Sequence, residues 1–411
     1  MKNTFLKIFR QNRYIFLYGI TERLFFFGFF LIIARGYSQE SFGHLITVLA
    51  IANILVTAID FGLPALLQKE ISLSAENGGK LTSNALLIFF LALPFYTGFC
   101  YLINSFFAPV IDMQIFFTAI FSVYILSAAN LLNKALSGLH EFGVQLKALF
   151  ISRIICFVFI FALISGGYAN LNTLILVLVI AGILQIIFLI PGLKNNSLFP
   201  AVKDFNLSYS LNLLKLSLPL GIAVLFNFLY DKIDILLISI INGFEQVAYY
   251  NIGYGIFKSS FILISYFYVS GLTRVSALSK RKNAVNLFFR KYLRILFAVS
   301  VILTLMLFLF SDLMIRFLYT DKFEESVFIL KILSLAVTGV ALNNLTGIIL
   351  TGTGLFKTNM YITITGVGIN ILLNFLFLPR YGIAAAAVIT VITEYFIFVS
   401  GYFSINKFLK T

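Results

Sequence analysis

Residues 14–34 read YIFLYGITERLFFFGFFLIIA. A helix needs about 20 mostly apolar residues to cross a bilayer, and this run has that length. Only Glu22 and Arg23 interrupt it. Arg23 would lie ~16 Å from the outer end of such a helix at 1.5 Å per residue. A charge at that depth costs a few kcal/mol or more, so it must face protein or a wet cavity rather than lipid. Adjacent residues point about 100° apart, so Glu22 and Arg23 cannot share one helix face.

The same pattern recurs along the chain. Asp231, Lys232 and Asp234 interrupt the apolar run 215–240, Lys258 lies inside 247–272, and Glu394 lies inside 383–405. Composition agrees with a membrane protein. Of 411 residues, 60% are hydrophobic and 11% charged, and the mean hydropathy is +1.00. A soluble domain is about 25% charged, so a water-soluble globule is excluded. No segment shows sustained alternation, which excludes a transmembrane barrel. The fold class is therefore an all-α polytopic membrane protein.

Twelve spans are expected, at 14–34, 42–66, 82–104, 114–135, 148–166, 171–191, 215–240, 247–272, 293–315, 327–350, 359–379 and 383–405. Lys and Arg are confined mainly to one set of connections. Lys69 and Lys80, Lys134 and Lys147, Lys194 and Lys203, a run from Arg274 through Lys280 to Lys291, and both tails fall on one side. Arg35, Arg316, Lys322 and Arg380 fall on the other. The positive-inside rule then puts both termini in the cytoplasm. The net charge of +14 follows from the same bias and does not call for nucleic acid.

Two internal echoes suggest a duplication. RGYSQESFG at 35–43 pairs with NGFEQVAYY at 242–250, matching Gly36 with Gly243 and Gln39 with Gln246. SGLHEFG at 137–143 pairs with TGTGLFK at 351–357, matching Gly138 with Gly352 and Phe142 with Phe356. The halves are a six-helix N-terminal lobe, 1–200, and a six-helix C-terminal lobe, 201–411. An even number of spans per half gives a parallel repeat, and two such lobes can enclose a central cavity.

The buried charges divide by chemistry. Arg23, Lys232 and Lys258 suit an anion, Arg as a bidentate fork and Lys as a point charge. Arg153 lies a few residues into its expected span and could either join them or snorkel to the surface. Glu22, Asp231, Asp234 and Glu394 could bind a coupling proton or sodium ion. The alternative for both sets is mutual neutralisation. Asp60, opening DFGLPALLQKE at 60–70, suits a gating or structural role that fixes a loop or a helix end. Cys100 and Cys156 have no partner at metal-ligand spacing and read as packing residues. No hydrolase, nucleotide-binding or zinc motif is present. An enzyme, a metal site and a bound cofactor are not expected, and an ion or substrate gradient must supply the energy.

Span 1 with its Arg, then GYSQESFG and DFGLPALLQKE, resembles the first repeat of polysaccharide-biosynthesis flippases. LPLGIAVLFNFLYDKIDILLI at 218–238 and EQVAYYNIGYGI at 245–256 resemble the second. These are Wzx-type O-antigen and capsule-unit flippases of the multidrug/oligosaccharidyl-lipid/polysaccharide (MOP) exporter superfamily. The resemblance implies a MATE-like, V-shaped fold whose cavity is lined by spans 1, 2, 7 and 8. It implies a cargo of polyprenyl (undecaprenyl) pyrophosphate-linked oligosaccharide, moved across the cytoplasmic membrane, where the protein would reside, by alternating access. Cations would hold the pyrophosphate, and an antiported proton or sodium ion would drive the return. A polysaccharide polymerase and a chain-length regulator are the implied partners. A multidrug or small anionic solute exporter of the same superfamily is the alternative.

Overall fold

The computed structural model describes residues 2–107, 112–261, 271–272, 274–279 and 281–410, with the side chains of all except 2–12, 107 and 223. These residues form helices and no strand. Among them, nine helices are long and apolar enough to cross a membrane, or ten if one bent pair counts as a span. Large apolar side chains stand on the outside, including Phe90 (71% exposed), Leu309 (70%) and Phe317 (76%). In water such a surface would aggregate; in a bilayer it is the lipid-facing surface.

The chain forms two compact units, residues 1–37 with 47–232, and residues 38–46 with 233–411. The first contains α1 (Lys2–Gly36), most of α2 (Gln39–Ile59), α3 (Leu63–Leu73), α4 (Gly78–Phe107), α5 (Met113–Gly138), α6 (Phe142–Ser165), α7 (Leu171–Asn195) and the larger part of α8 (Leu207–Ile241). The second contains α9 (Phe244–Ser259), α10 (Lys282–Tyr319), α11 (Glu325–Ser334), α12 (Ala336–Gly352) and α13 (Phe356–Lys410). The end of the span expected at 247–272 falls on residues 262–270, and Lys280 is a single position; both lie outside the described residues.

Small residues set the helix contacts in the first unit. A Cβ on Gly182 of α7 would come within 2.6 Å of Ile125 on α5, and one on Gly138 within 2.8 Å of Ile71 on α3. Membrane helices approach closely through such positions, because lipid gives no hydrophobic drive between them. The span expected at 42–66 is broken. Phe61 and Gly62 have positive φ, and Asp60 Oδ1 accepts the Gly62 N–H at 2.8 Å. Pro64 then opens α3, where its missing N–H costs nothing. At this break the backbone of Phe61 and Gly62 touches that of Gly221 so closely that a Cβ on either glycine would overlap it. Gly221 sits where α8 bends by 45° between Leu207–Ile222 and Val224–Ile241. Pro219, just before, removes one helix hydrogen bond and promotes the bend.

In the second unit α13 is a hairpin of two helical arms. Gly382 adopts φ 61 and ψ −157, three residues after Pro379. That region is open essentially to glycine alone. The arms then fold together, since a Cβ on Gly366 would lie 2.7 Å from Ile397. The paired sequence echoes fall at similar helix ends. Gly138 ends α5 and Phe142 opens α6, while Gly352 ends α12 and Phe356 opens α13. Gly352 abuts Val275 as Gly138 abuts Ile71, each against a branched side chain.

Candidate functional site

In the first unit, one face of α1 carries Tyr18, Glu22, Phe25 and Phe29, spaced by three or four residues. Phe25 packs edge-on against Phe157 of α6, with ring centroids 5.2 Å apart. This contact turns Tyr18 and Glu22 toward the helices behind α1. There Tyr18 Oη accepts from Asn133 Nδ2 at 3.0 Å and from Gln185 Nε2 at 3.3 Å. Gln185 Oε1 accepts from Arg153 Nη2 at 2.9 Å, and Ala181 O from Arg153 Nη1 at 3.1 Å. The guanidinium also lies 4.9 Å over the Phe25 ring. Four helices therefore meet at one polar node.

Arg153 is 2% exposed. Its guanidinium is packed inside the first unit. The reason is depth: α6 begins at Phe142, so Arg153 is eleven residues into the helix, ~16 Å along it. Its charge still acts on the site. Glu22 is half-buried and has Arg153, Arg23 and Lys134 within electrostatic range. Lys134 was expected in a cytoplasmic flank; it lies inside α5, half-buried, one residue from Asn133. Arg23, on the other face of α1, is exposed.

The other predicted residues are placed as follows. Lys232 pairs with Asp231 at 3.4 Å, both partly buried. Asp60 lies outside the spanning helices, in the break before α3. Burial pushes its carboxyl up to about 6, and the Gly62 N–H opposes that shift. In the second unit Lys258 is exposed, with its Nζ 5.7 Å over the Tyr254 ring.

A second polar node occupies the second unit. Asp234 accepts from Tyr250 Oη at 2.8 Å, Asn374 Nδ2 at 2.9 Å and Thr390 Oγ1 at 3.4 Å. Asn374 is held in turn by Asn370. One turn beyond Thr390, Glu394 accepts from Asn343 Nδ2 at 2.9 Å. Asp234 and Glu394 are both 7% exposed. Asn374 Oδ1 and Thr393 Oγ1 are buried with no hydrogen-bond partner. Carboxylate, amide and hydroxyl oxygens are the donors that a hard cation or a proton uses. Among the described residues no group of three or more His, Cys, Asp or Glu is placed to hold a metal ion. Cys100 and Cys156 are buried free thiols.

The sequence pattern of the polysaccharide biosynthesis protein family matches residues 9–276. The chain belongs to that family. The MatE pattern matches residues 219–376 of this family member. An uncharacterised membrane protein of Methanocaldococcus jannaschii is 23% identical over 423 residues, covering 98% of each chain. Among solved structures, an inward-facing multidrug resistance MATE family transporter of the MOP superfamily superposes with a TM-score of 0.75. It is 15% identical, with 97% of this chain and 99% of that one covered. The lipid II flippase MurJ, in an inward closed conformation, gives 0.71 at 17% identity, with 95% and 87% covered. At these identities the likeness shows the fold. The chain shares the MATE/MurJ-like fold.

Proposed function

We propose that this protein flips polyprenyl (undecaprenyl) pyrophosphate-linked oligosaccharide repeat units across the cytoplasmic membrane for O-antigen or capsular polysaccharide synthesis. The observation that carries the reading is the cationic node of the first unit, set among apolar helices in a chain of this family. A pyrophosphate is the anionic part common to all such cargo, whatever its sugars. Arg23 is exposed and offers a bidentate fork to it, and Lys232 of the same unit adds a point charge; Lys258, in the second unit, is a separate candidate for an anionic group. Arg153, out of reach, holds Gln185 and contributes a fixed positive field.

The Asp234 node would couple transport to a proton or sodium gradient. It buries a carboxylate that accepts from Tyr250, Asn374 and Thr390, beside an Asn374 Oδ1 that has no hydrogen-bond partner. Glu394 is a second coupling candidate, one helical turn away. Glu22 and Asp231 act in this reading as counter-charges to the cations beside them. Both termini would face the cytoplasm, and a polymerase and a chain-length regulator would act on the product. The MatE match over 219–376 favours a second reading, export of drugs or small anionic solutes. The excess of cations in the first unit weighs against cationic drugs.

The test is reconstitution in proteoliposomes with a polyprenyl pyrophosphate-linked oligosaccharide, under imposed proton or sodium gradients. Exposure of the glycan to an impermeant glycosidase reports flipping. Gradient-dependent flipping, lost in Arg23→Ala and uncoupled from the gradient in Asp234→Asn, is the expected result. Export of a cationic dye with no lipid flipping would favour the second reading and overturn this one.

A further inference from the structure

In the second unit, α10 is longer than a span requires. It has 38 residues, ~57 Å at 1.5 Å per residue, against a hydrocarbon core of about 30 Å. Its uncharged run is 295–311, and Lys282–Arg294 precede that run. One face of the leading segment is packed. Val285, Phe288 and Phe289 join a cluster with Leu345 and Ile349 of α12 and Ile405 of α13. The opposite face is open: Leu287, Arg290, Lys291 and Arg294 are all exposed. At 100° per residue the three cations fall within about 60° of Leu287, and so do Ile302, Leu305 and Leu309, which are also exposed. A single outward face is therefore basic at its start and apolar beyond it. No acidic residue occurs between Glu245 and Asp312 to offset the charge. Among the described residues none of the three cations pairs with a carboxylate. Arg290 Nε donates instead to Asn286 Oδ1 at 3.1 Å, which holds that guanidinium along the helix.

We propose that the Leu287–Arg294 face of α10 is a binding surface for anionic phospholipid headgroups, through which the second unit is anchored to a negatively charged leaflet. A lipid whose chains lie along Ile302 and Leu305 places its phosphate about two turns up the same face, at Arg290 and Arg294. Their guanidinium groups meet phosphate as forks, and Lys291 adds a point charge. A headgroup with its own cation cancels part of that attraction; one with net negative charge does not. Basic residues at the end of a span gain from such a leaflet by about fivefold each at most. The surface is separate from the cargo and does not depend on what is flipped.

The chain has no Trp, so Leu287→Trp puts a single reporter on the basic face. Leu309→Trp puts one at the far end of the same face, beside Asp312. Each protein is reconstituted in vesicles of phosphatidylcholine and phosphatidylglycerol, with one lipid or the other brominated on its chains. Quenching at Leu287→Trp should show phosphatidylglycerol favoured by about threefold or more, and quenching at Leu309→Trp no preference. Raising salt from about 0.1 M to about 1 M should remove most of the preference, as the screening length falls from about 10 Å to about 3 Å. Replacing Arg290, Lys291 and Arg294 together by Gln should bring it close to one, while Arg290→Lys with Arg294→Lys keeps it. Unaltered quenching at Leu309→Trp in the glutamine variant shows that the helix still spans. Equal quenching by the two lipids at Leu287→Trp would overturn the assignment and leave the basic face to an acidic protein partner. A preference that survives the glutamine variant, is lost in the lysine variant, or is as strong at Leu309→Trp would overturn it as well.

Discussion

Arg153 is the buried charge whose removal gives the most quantitative test of the node. Its guanidinium donates to Ala181 O and Gln185 Oε1 and faces Phe25. Hydrogen bonds involving a charged group contribute about 1.5–3 kcal/mol each. A desolvated cation–π contact adds up to about 2 kcal/mol. Against this stands the cost of burying a charge, several kcal/mol, which a neutral replacement recovers. Arg153→Met, of similar length and apolar, should therefore destabilise by about 2–4 kcal/mol. Much of the loss comes from Gln185 Oε1 being left buried without a donor. That part disappears if Gln185 is also made apolar. In a cycle with Gln185→Leu, the double variant should cost at least about 1 kcal/mol less than the sum of the singles. Reversible unfolding in mixed micelles, followed by circular dichroism, measures all four proteins. Additive effects within about 0.5 kcal/mol, or a single-variant cost below about 1 kcal/mol, would refute the node as the element joining α1, α6 and α7.

Arg23→Ala and Lys258→Ala should abolish flipping in proteoliposomes while leaving the protein inserted and abundant. Arg23→Lys should retain partial activity if charge dominates and none if fork geometry does; equal, full activity in both alanine variants would remove the cationic reading. Asp60, with its carboxyl raised from 3.8 to about 6, takes up protons on folding in that window. Its contribution to stability therefore falls as pH rises from about 4 to about 6. Asp60→Asn should flatten this slope while its side-chain oxygen still accepts from Gly62, so melting temperature against pH decides the point. Gly382→Ala should destabilise by at least about 1 kcal/mol, because its φ and ψ exclude a Cβ; an unchanged melting temperature would contradict the hairpin turn in α13.

Much of the architecture was legible because a spanning run is a strong signal and a glycine at a helix end a specific one. Gly138 and Gly352 close equivalent helices, and Phe142 and Phe356 open the next. The break at Asp60–Gly62 was not legible: the apolar run continues through it, and only the close approach to Gly221 explains why the helix stops. The depth of Arg153 was misjudged because hydropathy starts that span at 148, whereas the helix starts at Phe142. Lys134 was counted with the cytoplasmic flank for the same reason. Tyr18, Asn133 and Gln185 went unnoticed as site residues. A neutral polar side chain inside a span was the available signal, and it is weaker than a charge. His44, near the start of α2, is 8% exposed and lies against Phe244. Two of the named partners of Asp234, Asn374 and Thr390, come from 140 and 156 residues away. Only tertiary packing brings them together, so periodicity could flag Asp234 and Thr390 separately but never as a pair.

The most direct measurement of the central claim is lipid analysis of a strain lacking this protein, with the enzyme that initiates glycan synthesis left intact. The account predicts that polyprenyl pyrophosphate-linked oligosaccharide accumulates on the cytoplasmic leaflet while the surface glycan is lost. Unchanged lipid-linked intermediates with a normal surface glycan, in a strain with no second flippase, would contradict it.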